Sequence, residues 1–146
     1  MKDIGNKETI AKLKTMFLGY PQSTLGIDTV LFIDTIHGIA SAKYKAKEEM
    51  CHSGGIVQGG FVTGWIDAIM ALACMAKCGP DVLVLTLEVK ISFLNSAHVG
   101  EIISTAKVIK NTKSIAFLEG KIEDKNGLLI ATGTCTAKLK HNFYNT

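Results

Sequence analysis

Hydrophobic and polar residues follow two different periods along this chain, and the change between them divides it near residue 80. Between residues 6 and 18, Ile10, Leu13 and Met16 or Phe17 recur on one side with lysines elsewhere, which predicts a short amphipathic helix ended by Pro21. Residues 25–34 and 38–47 read as two strands joined around DTIHG, and 50–55 as a Gly/Ser-containing loop. The run from 58 to 77 predicts one long helix, stopped by CGP at 78–80. From Val82 onward the period is two. In TLEVKISF, Thr86, Glu88, Lys90 and Ser92 alternate with Leu87, Val89, Ile91 and Phe93, the pattern of a strand with one dry face. Three further strands are predicted at 101–110, 114–123 and 128–139, with NTK between the first two and an Asn-Gly hairpin signal in DKNG before the last. Short connections between these four strands require an antiparallel meander, so the fold class is α+β.

The long helix is apolar on every side, so it should be buried on every side. At 100° per residue, Val62, Trp65, Ile69, Leu72 and Ala76 form a large-residue face suited to packing on a curved sheet. Gly60, Thr63, Gly64, Met70, Ala71, Cys74 and Cys78 share the side of Asp67, where smaller residues let another backbone or a ligand come close. An antiparallel sheet wrapped around this central helix, preceded by the short N-terminal helix of residues 1–22, meets both demands within a single domain of residues 1–146. Such a sheet leaves edges that a second copy of the chain can cover by strand pairing.

Composition narrows the class. Hydrophobic residues make up 47% and charged residues 20%, as in a compact soluble domain. The formal charge is +3, with scattered lysines and no basic block, which argues against nucleic acid and suits a small anionic ligand. Four cysteines, Cys51, Cys74, Cys78 and Cys135, are too few and too embedded in apolar sequence for a disulfide framework. With no apolar leader in MKDIGNKETIAKLKTMF, they point to a cytoplasmic setting. The stretch GGIVQGGFVTGWIDAIMALACMA is long enough to span a bilayer, yet Gln58 and Asp67 inside it favour a core helix over a membrane span. Neither C-x-x-C nor a paired-His motif is present, so no metal site is expected.

Asp67 is the residue that calls for an explanation, because a lone acid among Phe61, Trp65, Ile66, Ile69, Met70 and Leu72 is costly to bury unless a polar or reactive group meets it. It suits a general base or nucleophile, and equally an acid held by a backbone or a partner chain. Gly59 and Gly60 open the helix, where unpaired N–H groups and the positive end of the helix dipole favour a developing oxyanion. An ordinary loop-to-helix junction has the same sequence.

Those residues also carry a resemblance. HSGGIVQGGFVTGWID resembles the Asn-x-x-Gly-x-x-His-Gly-Gly loop and following helix acid of the hotdog-fold acyl-CoA thioesterases, in particular their phenylacetate-pathway-like branch. His52 stands where that branch has Asn, Gln58 where it has His, and Gly55, Gly59, Gly60 and Asp67 fit. The stretch TLEVKISFLNSAHVGEIISTAKVIKNTKSIAFLEGKIEDKNGLLIATGTCT is similar to the family's strand pattern, so the likeness covers roughly residues 40–139. It implies a hotdog fold and hydrolysis of acyl-CoA thioesters to free acid and coenzyme A. Asp67 would be base or nucleophile, and the Gly59 N–H would polarise the carbonyl. His52 and Thr86 would assist the water or the carbonyl; Gln58, Gly60 and Lys113 would hold substrate, Lys113 near the coenzyme A phosphates. The site would form between protomers of a homodimer or of a homotetramer built as a dimer of dimers. Coenzyme A enters as part of the substrate, with no other cofactor. A non-catalytic acyl-CoA-binding module is the alternative that the His52 and Gln58 departures leave open.

Overall fold

The computed structural model describes residues 1–143. Helix α1 (Lys7–Phe17) starts where the Asn6 side chain accepts the Thr9 N–H at 2.9 Å, an N-cap that satisfies one free donor of the first turn. Strands β1 (Ile27–Asp34) and β2 (Ile39–Ala46) form a hairpin, followed by two short 3-10 turns and helix α2 (Gly59–Cys78). Strands β3 (Leu83–Phe93), β4 (Gly100–Asn111), β5 (Ile115–Asp124) and β6 (Leu129–Lys140) complete the chain. All six strands join one antiparallel sheet in the order β1-β2-β4-β5-β6-β3. Because β3 pairs with β6 rather than β4, the last four strands are not a simple meander as expected; only β4, β5 and β6 are consecutive neighbours.

The sheet wraps α2. Val62, Trp65, Ile69, Leu72 and Ala76, the expected large-residue face, are all buried, and Trp65 donates its indole N–H to the Leu25 carbonyl at 2.8 Å. Among the described residues α2 is the one helix long and apolar enough to cross a membrane by length and composition, and here the sheet supplies its apolar surroundings. Contact is closest at Gly120 and Gly133, which are opposite each other on β5 and β6. A Cβ at Gly120 would sit 3.1 Å from Ile66 and 3.2 Å from Met70, and one at Gly133 3.0 Å from Ile66. Any larger side chain there would lever the helix off the sheet.

The two sheet edges differ. Along β1 the chain's own N-terminus pairs in parallel. Ile4 donates its N–H to the Ile33 carbonyl and accepts the Thr35 N–H, both at 2.9 Å, while Asp3 takes the Ile33 N–H. Two register irregularities bend the same strand. The other edge, β3, has no such cover among the described residues, and Leu85, Leu87, Val89 and Phe93 are exposed along it. The dry face expected for TLEVKISF is therefore not dry in one chain, because β3 is the edge strand and α2 covers it only in part. Its alternation also breaks once. Thr86 is opposite Ala137 but Glu88 is opposite Thr136, so Leu87 is an extra residue that resets the phase. A bulge of this kind re-aims the side chains before it. Thr86 thus shares the helix-facing side with Val89, Ile91 and Phe93, instead of lying on the polar side with Glu88, Lys90 and Ser92 as strict alternation predicted.

The β1–β2 turn is held by a buried acid. Asp34, 2% exposed, accepts the N–H groups of Ile36 (2.8 Å) and His37 (2.9 Å) and the His37 Nδ1 at 2.8 Å. Burial pushes its carboxyl up, but the bonds from His37 and Ile36 outweigh that and hold it below the usual carboxylate range. Asp34→Ala should therefore cost about 2 kcal/mol of stability in urea unfolding, because two backbone donors lose their partner. The sign of the pH dependence follows. A lowered folded-state value contributes stability that is complete above the unfolded value of about 4 and is lost as pH falls through the folded one. In an acid titration of stability, the variant should show a shallower decline than the native chain.

Candidate functional site

Asp67 lies at the middle of α2, half-buried rather than sealed as its apolar neighbours suggested. What meets it is Thr86, whose hydroxyl donates to Oδ1 at 2.8 Å. That bond exists because the bulge at Leu87 turns Thr86 inward. Behind the carboxylate is Cys135 of β6. Burial first, and then the charges of Asp67 and Glu88, push this thiol up to about 11, so it stays protonated near neutral pH and adds no second anion. Two to three turns further along α2, Cys74 and Cys78 form a pair on the same stripe. A hydrogen bond from Cys74 lowers Cys78 to about 7 against the opposing effect of burial, with His141 and Lys77 adding to the lowering.

Gly59 is the first residue of α2, and its N–H has no acceptor among the described residues. The neighbouring Gly60 N–H is already taken by Gln58 Oε1 at 2.9 Å. Gln58 is therefore the N-cap of the helix, and its carboxamide is turned onto the backbone rather than into the nearby cavity. The pair of free amides expected from GG is thus one amide, at Gly59. That amide opens into a cavity of ≈ 340 Å³ lined by His52, Gly59, Phe93, Asn95 and Ser96 with apolar walls from Val62 and Ile130. His52 is exposed at its rim, anchored through its own N–H to the Ile56 carbonyl at 2.9 Å. A larger cavity of ≈ 580 Å³ lies on the other side of the sheet among Lys90, Thr105, Lys107 and Glu119. None of the candidate residues lines it, and Lys107 there is paired with Glu119 at 2.9 Å.

The structure thus brings the candidates together in two groups. His52, Gly59, Gly60 and Gln58 gather at the start of α2, and Asp67 and Thr86 near its middle. Eight residues of helix separate Gly59 from Asp67, about 12 Å along the axis at 1.5 Å per residue, which is too far for both to reach one carbonyl. Lys113, in the exposed β4–β5 turn, is at the opposite end of the sheet from Gly59, beside the start of β3. Its carbonyl is within 2.6 Å of His141 Nε2. The edge strand links the groups: Phe93 at its end covers Gly59, while Thr86 near its beginning holds Asp67. Sequence reasoning singled out neither Phe93 nor Cys135. Both read as ordinary inward strand residues, and nothing in period two marks which of them meets a helix terminus or an acid.

A sequence profile of the thioesterase superfamily matches residues 54–131, a stretch that carries both groups except His52. No curated protein sequence matches the chain. Among solved structures it is similar to zebra fish thioesterase superfamily member 2 (26% identity, 90% of this chain and 99% of that one, TM-score 0.77). It is likewise similar to a conserved protein from Pseudomonas aeruginosa (25%, 86% and 98%, TM-score 0.78). A phenylacetic acid degradation-related protein from Ralstonia eutropha shares the fold at 23% identity, over 89% and 98% of the two chains, with a TM-score of 0.79. With its antiparallel sheet closed around α2 in the hotdog manner, this chain belongs to the thioesterase superfamily.

Proposed function

We propose that the protein hydrolyses acyl-CoA thioesters to the free acid and coenzyme A, in a site assembled from two copies of the chain. The observation that carries this reading is the Thr86–Asp67 bond on an open edge strand whose other end covers the free Gly59 amide. If two β3 strands pair antiparallel across a two-fold axis near Val89 and Lys90, the Thr86 end of one lies beside the Phe93 end of the other. Each Asp67 then faces the Gly59 cavity of the partner, and two equivalent sites result. The exposed Leu87 and Val89 are covered by the same pairing. Lys113, at the Thr86 end of its own chain, is carried toward the partner's cavity mouth, where a cation suits the coenzyme A phosphates.

In that site the thioester carbonyl accepts the Gly59 N–H at the positive end of α2, which stabilises the oxyanion as it forms. Asp67, fixed by Thr86, takes a proton from water as the water oxygen attacks the carbonyl carbon, or attacks the carbon itself. The C–S bond breaks, and the thiolate leaves with the proton that Asp67 took. Where Asp67 attacks instead, the thiolate takes a proton from water, and a second water opens the mixed anhydride to the free acid and the Asp67 carboxylate. His52 at the cavity rim can donate to the carbonyl or the water, and Gln58 keeps α2 capped so that Gly59 remains the free donor. A cytoplasmic enzyme acting as a homodimer, or as a dimer of dimers, fits the thiol content and the open edge.

The test is release of free thiol from short, long and aromatic acyl-CoAs by the purified protein. Turnover supports the hydrolase. Tight acyl-CoA binding without turnover would instead make the chain a binding module that kept the fold. Within the hydrolase reading, Thr86→Val should lower kcat roughly 10-fold with little change in KM, the worth of one hydrogen bond to a charged group.

A further inference from the structure

We infer that Phe93 is a specificity-determining residue that restricts the site to thioesters whose acyl α-carbon is unbranched; this rests on the proposed hydrolase reading. The ring stands edge-on against the first residue of α2. A Cβ at Gly59 would lie 3.2 Å from Phe93 Cζ and 3.3 Å from Cε1, so the ring occupies the space that even a methyl group on this residue would need. Phe93 nonetheless belongs to no part of the core: it is 56% exposed, on the open edge of the sheet, with the rest of its ring facing the cavity that holds His52 and the free Gly59 N–H. A large aromatic left in that position contributes little to the fold and much to the shape of the approach. With Phe93 closing one side and Val62 and Ile130 forming the apolar walls, a carbonyl can reach the Gly59 amide only if the groups flanking it are narrow. On the thiol side the carbonyl of any pantetheine thioester is flanked by an unbranched S–CH₂. On the acyl side it is the α-carbon, so α-substitution is what the ring reads, by a steric clash that grows as the carbonyl closes on its donor.

The experiment compares butyryl-CoA with isobutyryl-CoA in the native protein, Phe93→Leu and Phe93→Ala. Discrimination of about 10–200-fold is the range for one methyl group in a tight pocket. The native protein should prefer butyryl-CoA by a ratio in that range, and Phe93→Ala should bring the ratio close to one by raising kcat/KM for the branched substrate. Phe93→Leu should lie between. A loss of activity that is equal for both substrates would overturn the assignment, since a merely structural role moves both alike. The same ratio is read without turnover from the Kd values of the two corresponding ketone analogues, in which a CH₂ separates sulfur from the carbonyl. Thus a chain that binds but does not hydrolyse still decides the role of Phe93. An analogue ratio unchanged between the native protein and Phe93→Ala would overturn it, whatever becomes of the hydrolase reading.

Discussion

Asp67→Asn should lower kcat about 1,000-fold while leaving KM and the urea unfolding midpoint close to native, because an amide keeps the shape and cannot accept the proton. The expected stability follows from position: Asp67 is half-buried, and its carboxylate is held by the Thr86 hydroxyl, which can donate to an amide oxygen as well. Free-thiol assays under saturating acyl-CoA, alongside circular dichroism of the variant, would read both quantities. A variant retaining a tenth or more of native kcat would remove Asp67 from the chemistry. The same site allows base and nucleophile to be told apart. In a single turnover in ¹⁸O-labelled water, a base delivers the label to the product acid, whereas a nucleophile whose anhydride is opened at the Asp67 carbonyl keeps the label on Asp67 and delivers its own unlabelled oxygen.

Removing the Gly59 N–H should cost roughly 100- to 1,000-fold in kcat, the loss seen when one oxyanion donor is deleted. Gly59→Pro does this with little else. The position is the first of α2, where proline is tolerated because the N–H has no helical partner. Gln58 already has the extended conformation (φ −63°, ψ 137°) that a following proline requires. The Phe93 ring must yield a few tenths of an ångström, which its exposed edge allows. The larger effect appears on mixing. In the proposed dimer each composite site would take Asp67 from one protomer and Gly59 from the other. A mixed dimer of Asp67→Asn and Gly59→Pro chains therefore has one doubly damaged site and one intact site. Random re-association of equal amounts puts half of the dimers in that state and restores about a quarter of native activity from two nearly inactive parents. Restoration absent from re-associated mixtures, with dimers demonstrated by light scattering, would show that each site belongs to a single chain.

The sequence was legible where a residue's role depends on its neighbours in the chain. The boundaries of α2 follow from an apolar run stopped by Cys78-Gly79-Pro80, and every strand was visible in its alternation or its turn residues. The family likeness pointed to Asp67 and the glycines at the helix start. What escaped depends on contacts across the fold. A single extra residue at Leu87 reverses the side on which Thr86 lies, and period-two reasoning has no means of placing a bulge. The separation of Gly59 from Asp67 is countable from sequence. The proposal that one chain holds two half-sites rests on what the sequence does not show, an edge strand that touches both. The reach of Gln58 back onto Gly60 is a local rotamer choice that a polar residue in a loop does not announce. The pairing of β3 with β6 was missed for a related reason, since a strand inserted ahead of a meander leaves no mark on the lengths of the connections.

The unequal margins of the sheet have a bearing on how far assembly can proceed. A protein with two sticky ends polymerises; one with a single sticky end meets its own image and stops. Here residues 3–5 act as a built-in terminator on one flank, stitched down by Ile4 and Asp3. Loss of those few residues would leave the molecule with two open flanks, and the expected consequence is growth into fibrils in place of a finite particle.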